Sequence, residues 1–445
     1  DWSSDVCSSD LVGTGPELDV AEGDVVERER GGREHGHGFL RDGGCSGGDI
    51  TLAAMRWSLA LPTDRVDRTD EFVTGAAVME AARAAEDAGF DAVYVTDHPA
   101  PDQRWLDGGG HHALEPTVAL SFAAAAKPKI GIIGAGIMGE RLLTAILQQD
   151  PGLVQACGIW DPAADAMQRM ARTFPGVSRM ADATAVIAAS DCVYIASPPA
   201  SHLGHARAAL AAGKSVFSEK PLATDVADAR AFVAEAGGRG AVNFPFASSP
   251  AVATIRSWIG NGEIGTPRRI DIAVGFAKWP RSWQVDAAGW LDKPMQGGFT
   301  REVVSHFLFL SRRLGGPLHG LTGEASFPEA GRSQRRIAAR LQAGDLPVTL
   351  AGAVGETAKD DHNVWMLEGD RGAVRLCDWS IAERRLADGT WQQAPDALPN
   401  AQARPLALKR QLEGVAKLAR GEQHHLATVA EAFNVQEVVE GILAG

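Results

Sequence analysis

The sequence predicts an α/β protein organised around a doubly wound parallel sheet. Between residues 127 and about 245, short apolar runs of strand length alternate with amphipathic stretches of helix length. The first run, Ile130–Ile133, leads directly into a turn that carries Gly134, Gly136 and Gly139. Such alternation indicates parallel strands connected by helices, and the ligand groove of such a sheet lies at the carboxyl ends of its strands.

The glycine-rich turn is the most informative local pattern. Gly134 permits a tight turn out of the strand, Gly136 lets a pyrophosphate approach the backbone, and Gly139 lets the next helix pack closely on the strand. The helix begins at about Ile137 and Met138, and its first N–H groups suit phosphates. The turn therefore predicts a dinucleotide site. Because glycine is common here (50 of 445 residues), a glycine-rich turn of another α/β domain is the alternative.

An acidic residue ends the second predicted strand. Asp161 follows the apolar run Val154–Trp160 and lies 22 residues after Gly139, a spacing typical of a carboxylate that hydrogen-bonds the adenosine ribose. Such a carboxylate repels the additional phosphate of NADP. We expect Arg169 and Arg172, on the following helix, to face solvent. NAD is therefore the predicted cofactor, with NADP as the alternative.

The composition narrows the classes of function. A chain of 445 residues with 45% hydrophobic and 22% charged residues is ordinary globular material of about two to four domains. The net charge of −13 argues against nucleic acid and anionic membranes as partners. Five scattered cysteines without a CxxC pair favour a cytoplasmic setting and predict no metal site. No apolar run is long enough to predict a membrane span.

The first 53 residues differ from the rest of the chain. They combine glycine pairs, serine pairs and mixed charge without a helical or strand period, which predicts a disordered tail. The opening DWSSDVCSSDL resembles translated non-coding or adapter sequence, and it lacks the basic region of a secretory signal. We therefore expect a chimeric sequence in which this tail is no natural protein segment.

Residues 54–126 predict one βαβ unit, with strands at Arg56–Leu61 and Phe90–Val95 and a helix at Thr74–Gly89. The segments RWSLALP, AARAAEDAGFDAVYVTDHPAP and LEPTVALSFAAAA resemble the start of the luciferase-like monooxygenases, which are (β/α)₈ barrels that use flavin or deazaflavin. The resemblance covers about a quarter of such a barrel and implies a partial barrel fragment. In a whole barrel His98 would be a candidate flavin-site residue.

The remaining elements follow in order. Up to residue 245 we expect helices and strands at Ala163–Thr173, Val177–Met180, Thr184–Ala189, Cys192–Ala196, Ser215–Phe217, Val226–Ala236 and Ala241–Phe244. Beyond residue 245 we expect a helix at Ser248–Ile259, strands at Arg268–Val274, Ile337–Leu341, Val348–Gly352, Val364–Gly369 and Ala373–Leu376, and helices at Arg404–Arg420 and Val429–Leu443.

Four ordered segments carry a second resemblance. GIIGAGIMG, YIASPPASHLGHARAALAAGKSVFSEKPLATD, IRSWIGNGEIGTPRRI and GGFTREVVSHFLFL resemble the Gfo/Idh/MocA oxidoreductases, over residues 127–445. The resemblance implies an N-terminal Rossmann domain at 127–245. It also implies a C-terminal α/β domain at 246–445 whose open, mostly antiparallel sheet commonly forms the face of a homodimer.

The resemblance also implies a catalytic lysine within Glu219–Lys220–Pro221. In the family this lysine lies beside the nicotinamide, where an ammonium group can exchange a proton with a substrate hydroxyl. Both Glu219 and Lys220 are accordingly expected at the cofactor. The alternative for Lys220 is a surface lysine before a turn.

Two further candidates lie in GGFTREVVSHFLFL. Glu302 and His306 are four residues apart and share one face if the segment is helical. His306 is the candidate acid/base, since a pKa near neutrality suits that role, and Glu302 would orient it or bind a hydroxyl. The family pattern has Asp in place of Glu302 and commonly in place of Phe309, which argues against a simple sugar-alcohol dehydrogenase. A surface glutamate and a core histidine are the alternatives.

A loop after the strand at Cys192–Ala196 completes the predicted site. In the family this loop contacts the cofactor, partly through backbone groups, which implies contacts from Ser197, Pro198 and His202. The Trp-rich stretch from Trp279 to Trp290 would either line a sugar-like substrate or pack at the domain junction.

The leading interpretation is an NAD(P)-dependent oxidoreductase that transfers a hydride between the nicotinamide and a carbohydrate, cyclitol or related hydroxy or carbonyl compound. Two alternatives stay open. One is a non-catalytic dinucleotide-binding regulator on the same fold, and the other is a flavin- or deazaflavin-linked monooxygenase fragment.

Overall fold

The computed structural model describes residues 57–445 except 65–67, 97–101, 111–112, 125–126 and 150–151. The expected disordered tail at residues 1–53 and the candidate His98 lie outside the described residues. The chain divides into two compact units, one up to residue 126 and one from Lys127 to Gly445, and each is described by itself.

The N-terminal unit contains the expected βαβ arrangement. Strands β1 (Ser58–Ala60) and β2 (Ala92–Tyr94) pair in parallel, and helix α2 (Gly75–Asp87) lies between them in the chain. The Thr74 side chain caps α2 by accepting a hydrogen bond from the N–H of Ala77. The unit also contains α1 (Thr69–Phe72), α3 (Gln103–Asp107) and α4 (Pro116–Ala124). Its similarity to a luciferase-like barrel stays a prediction.

The larger unit begins with the predicted parallel sheet. Its strand order is β16-β7-β6-β5-β3-β4, and every pair except β16–β7 is parallel. The strands are β3 (Lys129–Ile133), β4 (Gln155–Trp160), β5 (Cys192–Ile195), β6 (Ser215–Ser218), β7 (Gly240–Val242) and β16 (Ala427–Thr428). Every residue of β5 and β6 is buried, as expected for central strands with both faces covered.

Five helices alternate with these strands. They are α5 (Ile137–Gln148), α6 (Ala164–Thr173), α7 (Ala183–Ala189), α8 (His202–Ala211) and α9 (Val226–Ala236). The strand predicted at Val177–Met180 is wrong. The segment lies beyond the edge strand β4 and reaches it only through Ile159, which forms an isolated bridge with Arg179, so no ladder develops.

A second sheet of eight strands follows, in the order β15-β14-β13-β12-β8-β11-β10-β9. All neighbours are antiparallel except β8 and β11, so the predicted mostly antiparallel sheet is confirmed. The strands are β8 (Pro267–Phe276), β9 (Leu318–Ser326), β10 (Arg336–Ala343), β11 (Leu346–Val354), β12 (His362–Gly369), β13 (Ala373–Cys377), β14 (Ile381–Arg385) and β15 (Trp391–Gln393).

The two sheets share one hydrophobic core. A single buried cluster includes Val193 and Val216 of the parallel sheet together with Ile270 and Trp365 of the antiparallel sheet. The helices of this half are α10 (Pro250–Gly260), α11 (Ala288–Leu291), α12 (Ser305–Gly315), α13 (Asn400–Ala419) and α14 (Val429–Ala444). The shared core fixes the carboxyl edge of the parallel sheet against α12 and the neighbouring loops.

Among the described residues, no helix combines the length and the apolar character needed to cross a membrane. Within the same part of the chain, no three His, Cys, Asp or Glu side chains are grouped as metal ligands would be.

Candidate active site

The glycine turn has the geometry that the sequence predicts. Gly134 has a φ of +107°, a conformation that side chains rarely adopt, and a Cβ on Gly139 would overlap the carbonyl oxygen of Gly134. A Cβ on Gly136 would meet no atom within 4 Å, so open space faces this backbone. Helix α5 begins at Ile137, next to Met138, without a side-chain cap. Its first N–H groups are therefore available to phosphate oxygens, and the turn fits a dinucleotide.

Asp161 is held against this turn. One carboxylate oxygen accepts a hydrogen bond from the N–H of Ala135 at 2.8 Å, and the other accepts from the N–H of Ala163 at 2.8 Å. The carboxylate is thereby placed where the first two strands of the Rossmann sheet end. Each oxygen keeps a lone pair for a further donor such as a ribose hydroxyl.

Arg169 is exposed, as expected, and it also contacts the glycine turn. Its Nη2 donates a hydrogen bond of 2.6 Å to the carbonyl oxygen of Ala135. Its Nε also lies 3.9 Å from a carboxylate oxygen of Glu140. A guanidinium group therefore lies beside the glycine turn, on the same residue, Ala135, that Asp161 contacts. Arg172, one turn later, is exposed.

His202 joins two loops of the site. It is buried, with Nδ1 2.8 Å from the carbonyl oxygen of Pro221 and Nε2 2.8 Å from that of Ser197. Burial lowers the pKa of His202, and its contacts with the two carbonyls oppose that shift. Because both ring nitrogens face protein oxygens, any effect of His202 on the cofactor would be indirect. The loop itself is held by hydroxyl contacts of Ser201 with Ser197 and with the carbonyl of Pro198.

Glu219 is buried within a group of internal polar side chains. Its Oε1 accepts hydrogen bonds from the hydroxyl of Tyr194 and, at 2.6 Å, from the amide of Asn243. Asn243 in turn accepts from Gln411 of α13. Burial raises the pKa of Glu219. The structure thus places this carboxyl group in an internal polar cluster that anchors the chain just before Lys220.

Lys220 forms a mostly enclosed ion pair with Glu302. The Nζ lies 2.9 Å from a carboxylate oxygen of Glu302, and the two side chains are 9% and 13% exposed. Glu302 lies in a π-helical turn, Thr300–Val304, that precedes α12. The expected pairing of Glu302 with His306 on one regular helical face is therefore replaced by pairing of Glu302 with Lys220.

His306 is enclosed by aromatic rings. Its ring centroid lies 5.5 Å from that of Phe244, 6.2 Å from that of Phe246 and 5.4 Å from that of Trp379. Burial lowers the pKa of His306 well below its ordinary value, and the charges of Lys220 and Arg281 add to the shift. Both effects favour the neutral form of the imidazole in the folded protein. Its buried Nδ1 has no hydrogen-bond partner among the residues that the structure describes.

Trp379, one of the rings around His306, lies in a strained turn. Between β13 and β14, Asp378 and Trp379 have φ values of 44° and 78°, which non-glycine residues rarely adopt. The indole N–H of Trp379 donates to a carboxylate oxygen of Asp361 at 2.9 Å, and Arg281 binds the same oxygen at 2.7 Å. Asp361 and Trp379 were not predicted from the sequence, which has no local pattern that marks them.

Trp279 and Trp283 of the Trp-rich stretch differ in their surroundings. Trp279 is buried and packs on Phe276 and Phe299. Trp283 is 46% exposed, and the guanidinium carbons of Arg141 and Arg281 lie 5.1 and 4.8 Å from its ring centroid. Packing therefore accounts for the first indole, whereas the second presents a flat surface to solvent.

A known protein family matches the part of the chain that forms the parallel sheet. Residues 128–245 match the Gfo/Idh/MocA family model, described as an oxidoreductase family with an NAD-binding Rossmann fold. This segment is an NAD-binding oxidoreductase domain. The predicted cofactor NAD and the predicted oxidoreductase class are confirmed by this match. A search of curated proteins found no match to the chain.

Solved structures extend the likeness of this oxidoreductase to both sheets. An oxidoreductase from Agrobacterium radiobacter, in complex with NAD⁺, L-tartaric acid and magnesium, is 17% identical, with a TM-score of 0.61 over 72% of this chain and 97% of that chain. A putative myo-inositol dehydrogenase from Sinorhizobium meliloti is 20% identical, with a TM-score of 0.56 over 72% and 98%. A UDP-N-acetylglucosamine 3-dehydrogenase from Acidithiobacillus ferrooxidans is 18% identical, with a TM-score of 0.57 over 71% and 99%. These likenesses show a shared fold.

Proposed function

We propose that this oxidoreductase is an NAD-dependent dehydrogenase that interconverts a hydroxyl and a carbonyl group on a carbohydrate, cyclitol or related compound. The observation that carries the proposal is the convergence of the Lys220–Glu302 ion pair with the unpartnered, neutral His306. The two groups are close enough for the Lys220 charge to lower the pKa of His306. Names of structural neighbours, which include a myo-inositol and a UDP-sugar dehydrogenase, support this substrate class.

Binding and chemistry would be divided among separate residues. Gly134, Gly136 and the start of α5 would hold the diphosphate, and Asp161 would accept hydrogen bonds from the adenosine ribose. When bound, NAD supplies the acceptor for the hydride that leaves the substrate carbon. Ser197 and Pro198, held in place by His202, would form the wall of the cofactor groove.

The proton would be handled by Lys220 and His306. In the oxidation direction, the Lys220 ammonium stabilises the negative charge that develops on the substrate oxygen as its O–H bond breaks. The neutral His306 imidazole has one unprotonated ring nitrogen in either tautomer, and that nitrogen would accept the proton. Glu302 would hold the Lys220 side chain in position through their 2.9 Å contact. In reduction the same groups return the proton.

The test is a dehydrogenase screen of the full chain with neutral and acidic sugars and cyclitols, followed by NADH absorbance. Lys220→Met should lower turnover by about 10²–10⁴-fold while the dissociation constant for NAD stays close to wild type, because the lysine does not hold the phosphates. Lys409→Met, on the exposed surface of α13, is the matched control. NAD binding without turnover of any compound would instead support the regulator.

Three further expectations belong with this proposal. The boundary between the NAD-binding and substrate domains lies near residue 245. The outer face of the eight-stranded sheet, where every second residue of β10 is exposed, forms a homo-oligomer interface. The protein acts in the cytoplasm, which suits Cys157, Cys192 and Cys377, since none of them forms a disulfide with another described residue. Light scattering of the purified chain tests the second expectation, and a monomeric mass would refute it.

A further inference from the structure

Helix α14, the last element of the chain, contacts both segments that carry the Lys220–Glu302 ion pair. Gln436 and Glu440 lie four residues apart on this helix and therefore share one face. Together with Lys220 and Arg301, these two residues line one small cavity of about 10 Å³. The face of α14 that carries Gln436 and Glu440 is therefore turned toward the ion pair.

Gln436 fixes the backbone that follows Lys220. Its side chain is buried, with Oε1 accepting a hydrogen bond of 3.3 Å from the N–H of Ala223 and Nε2 donating one of 2.7 Å to the carbonyl oxygen of the same residue. Two hydrogen bonds to one residue restrict both its position and its orientation. His202 holds the same segment at the carbonyl oxygen of Pro221. The Lys220 side chain therefore starts from a backbone that is fixed immediately after it.

Glu440 fixes the turn that carries Glu302. The Arg301 guanidinium group donates to both carboxylate oxygens of Glu440, at 2.7 and 2.6 Å. The Arg301 side chain is 8% exposed, and it also donates to the carbonyl oxygens of Pro294 and Gly297 at 2.7 and 3.0 Å. A bidentate pair of this kind holds the guanidinium group in one orientation. Because Arg301 directly precedes Glu302 in the π-helical turn, its pair with Glu440 fixes the backbone from which the Glu302 carboxylate extends.

We propose that Gln436 and Glu440 are positioning residues of the reaction, through which α14 holds both members of the ion pair in register. Gln436 acts on Lys220 through the backbone, and Glu440 acts on Glu302 through its neighbour in the turn. The inference rests on the proposed dehydrogenase function and gives the last helix a part in it. If α14 only packed against the core, its side chains would affect stability without affecting the contact within the pair.

The variant Gln436→Met tests the first contact. It removes both hydrogen bonds to Ala223 and keeps a side chain of similar length. Asn434→Leu is the matched control, because Asn434 lies on the same helix and makes the same two kinds of hydrogen bond to the backbone of Leu318, at 2.9 and 3.0 Å. Leu318 begins β9, outside the candidate active site.

The variant Glu440→Gln tests the second contact. It removes the negative charge that pairs with Arg301 and keeps the shape of the side chain. Glu437→Gln is the matched control, because it makes the same chemical change on the same helix in the exposed pair with Arg230. Thermal midpoints establish that each variant is folded.

The direct readout is the coupling energy between Lys220 and Glu302, which does not depend on turnover. Calorimetry of Lys220→Met, Glu302→Gln and the doubly substituted protein gives this energy in the wild-type background and in each α14 variant. It should fall by about a quarter to a half in Gln436→Met and Glu440→Gln. Lengthening the 2.9 Å contact by about 1 Å weakens the Coulomb attraction by about a quarter and breaks the hydrogen bond. In the two controls it should keep its wild-type value.

Kinetics supply the second readout, with a compound that the dehydrogenase screen finds to be turned over. In Gln436→Met and Glu440→Gln, kcat should fall about 10- to 100-fold, because a shift of about 1 Å misaligns the reacting groups. The dissociation constant for NAD should stay close to wild type, since neither residue contacts the glycine turn. The controls should keep the wild-type kcat.

Two results would overturn the inference. In one, the coupling energy is unchanged in both α14 variants, or falls equally in the variants and their controls, so that α14 acts through packing alone. In the other, NAD binding weakens as much as kcat, which would assign the two residues to the cofactor. Turnover is scored separately. A lowered coupling energy in a chain that turns over no compound would refute the dehydrogenase and leave the positioning by α14 in place.

Discussion

The Lys220–Glu302 ion pair offers the sharpest test of the site. Glu302→Gln keeps the shape of the side chain but leaves the Lys220 ammonium, which is 9% exposed, without a counter-charge. Breaking a buried ion pair in this way costs about 3–5 kcal/mol. Because the glutamine oxygen still accepts a hydrogen bond from Nζ at 2.9 Å, we expect the lower end, about 3 kcal/mol. In a unit of this size that corresponds to a fall of about 4–5 °C in the thermal midpoint.

The measurement needs a control with the same chemical change. Glu437→Gln removes the carboxylate of the Arg230–Glu437 pair, whose side chains are 66% and 33% exposed, and should cost under about 1 kcal/mol. Calorimetry of both variants, with Lys220→Met and the Lys220→Met/Glu302→Gln double variant, gives the coupling energy. The double variant should lose less stability than the sum of the single losses. Equal costs for Glu302→Gln and Glu437→Gln would show that the pair is not enclosed as described.

Other outcomes follow from the same geometry. Since the pKa of His306 is depressed in the folded state, its protonation below about pH 6.5 favours unfolding, so His306→Phe should flatten the fall in thermal midpoint between pH 7 and pH 5.5. An unchanged slope would contradict its burial as a neutral ring. Tyr194→Phe should cost about 1–3 kcal/mol in denaturant unfolding, because the enclosed Glu219 loses a donor, and no loss would mean that this hydrogen bond is not made. Gly136→Ala should weaken NAD binding without lowering the thermal midpoint, whereas Gly139→Ala should lower the midpoint. A lower thermal midpoint for Gly136→Ala than for Gly139→Ala would contradict the geometry described for the turn.

The sequence was most informative where elements are buried on both faces. β5 (CVYI) is a continuous apolar run, β6 carries Val216 and Phe217 at its centre, and the helix at Val226–Ala236 was predicted with the bounds that the structure shows. β9 and β14 were not predicted. Both are mostly polar, and β9 exposes residues along nearly its whole length, so neither has the alternation that marks a half-buried strand.

In the site, local motifs were predictable and distant contacts were not. The glycine turn is contiguous in the chain, so its geometry follows from its residues. The link from Arg281 to Asp361 spans 80 positions and leaves no periodic trace. The neutral state of His306 depends on Phe244 and Trp379, which come from two other segments, so the histidine could be predicted but not its titration.

Helix α13, the last but one in the chain, packs against the sheet that would bind NAD. Its Leu412 and Val415 lie in one hydrophobic cluster with Ile130 and Phe217 of the parallel sheet. A fragment that ends at residue 245 would therefore expose the apolar face of the sheet that α13 covers. It would also lose the hydrogen bond from Gln411 to Asn243. Residues 127–245 therefore cannot be transferred to another protein without α13. Recombining it with the substrate half of a relative to obtain a new specificity would require that α13 stay with its own Rossmann sheet.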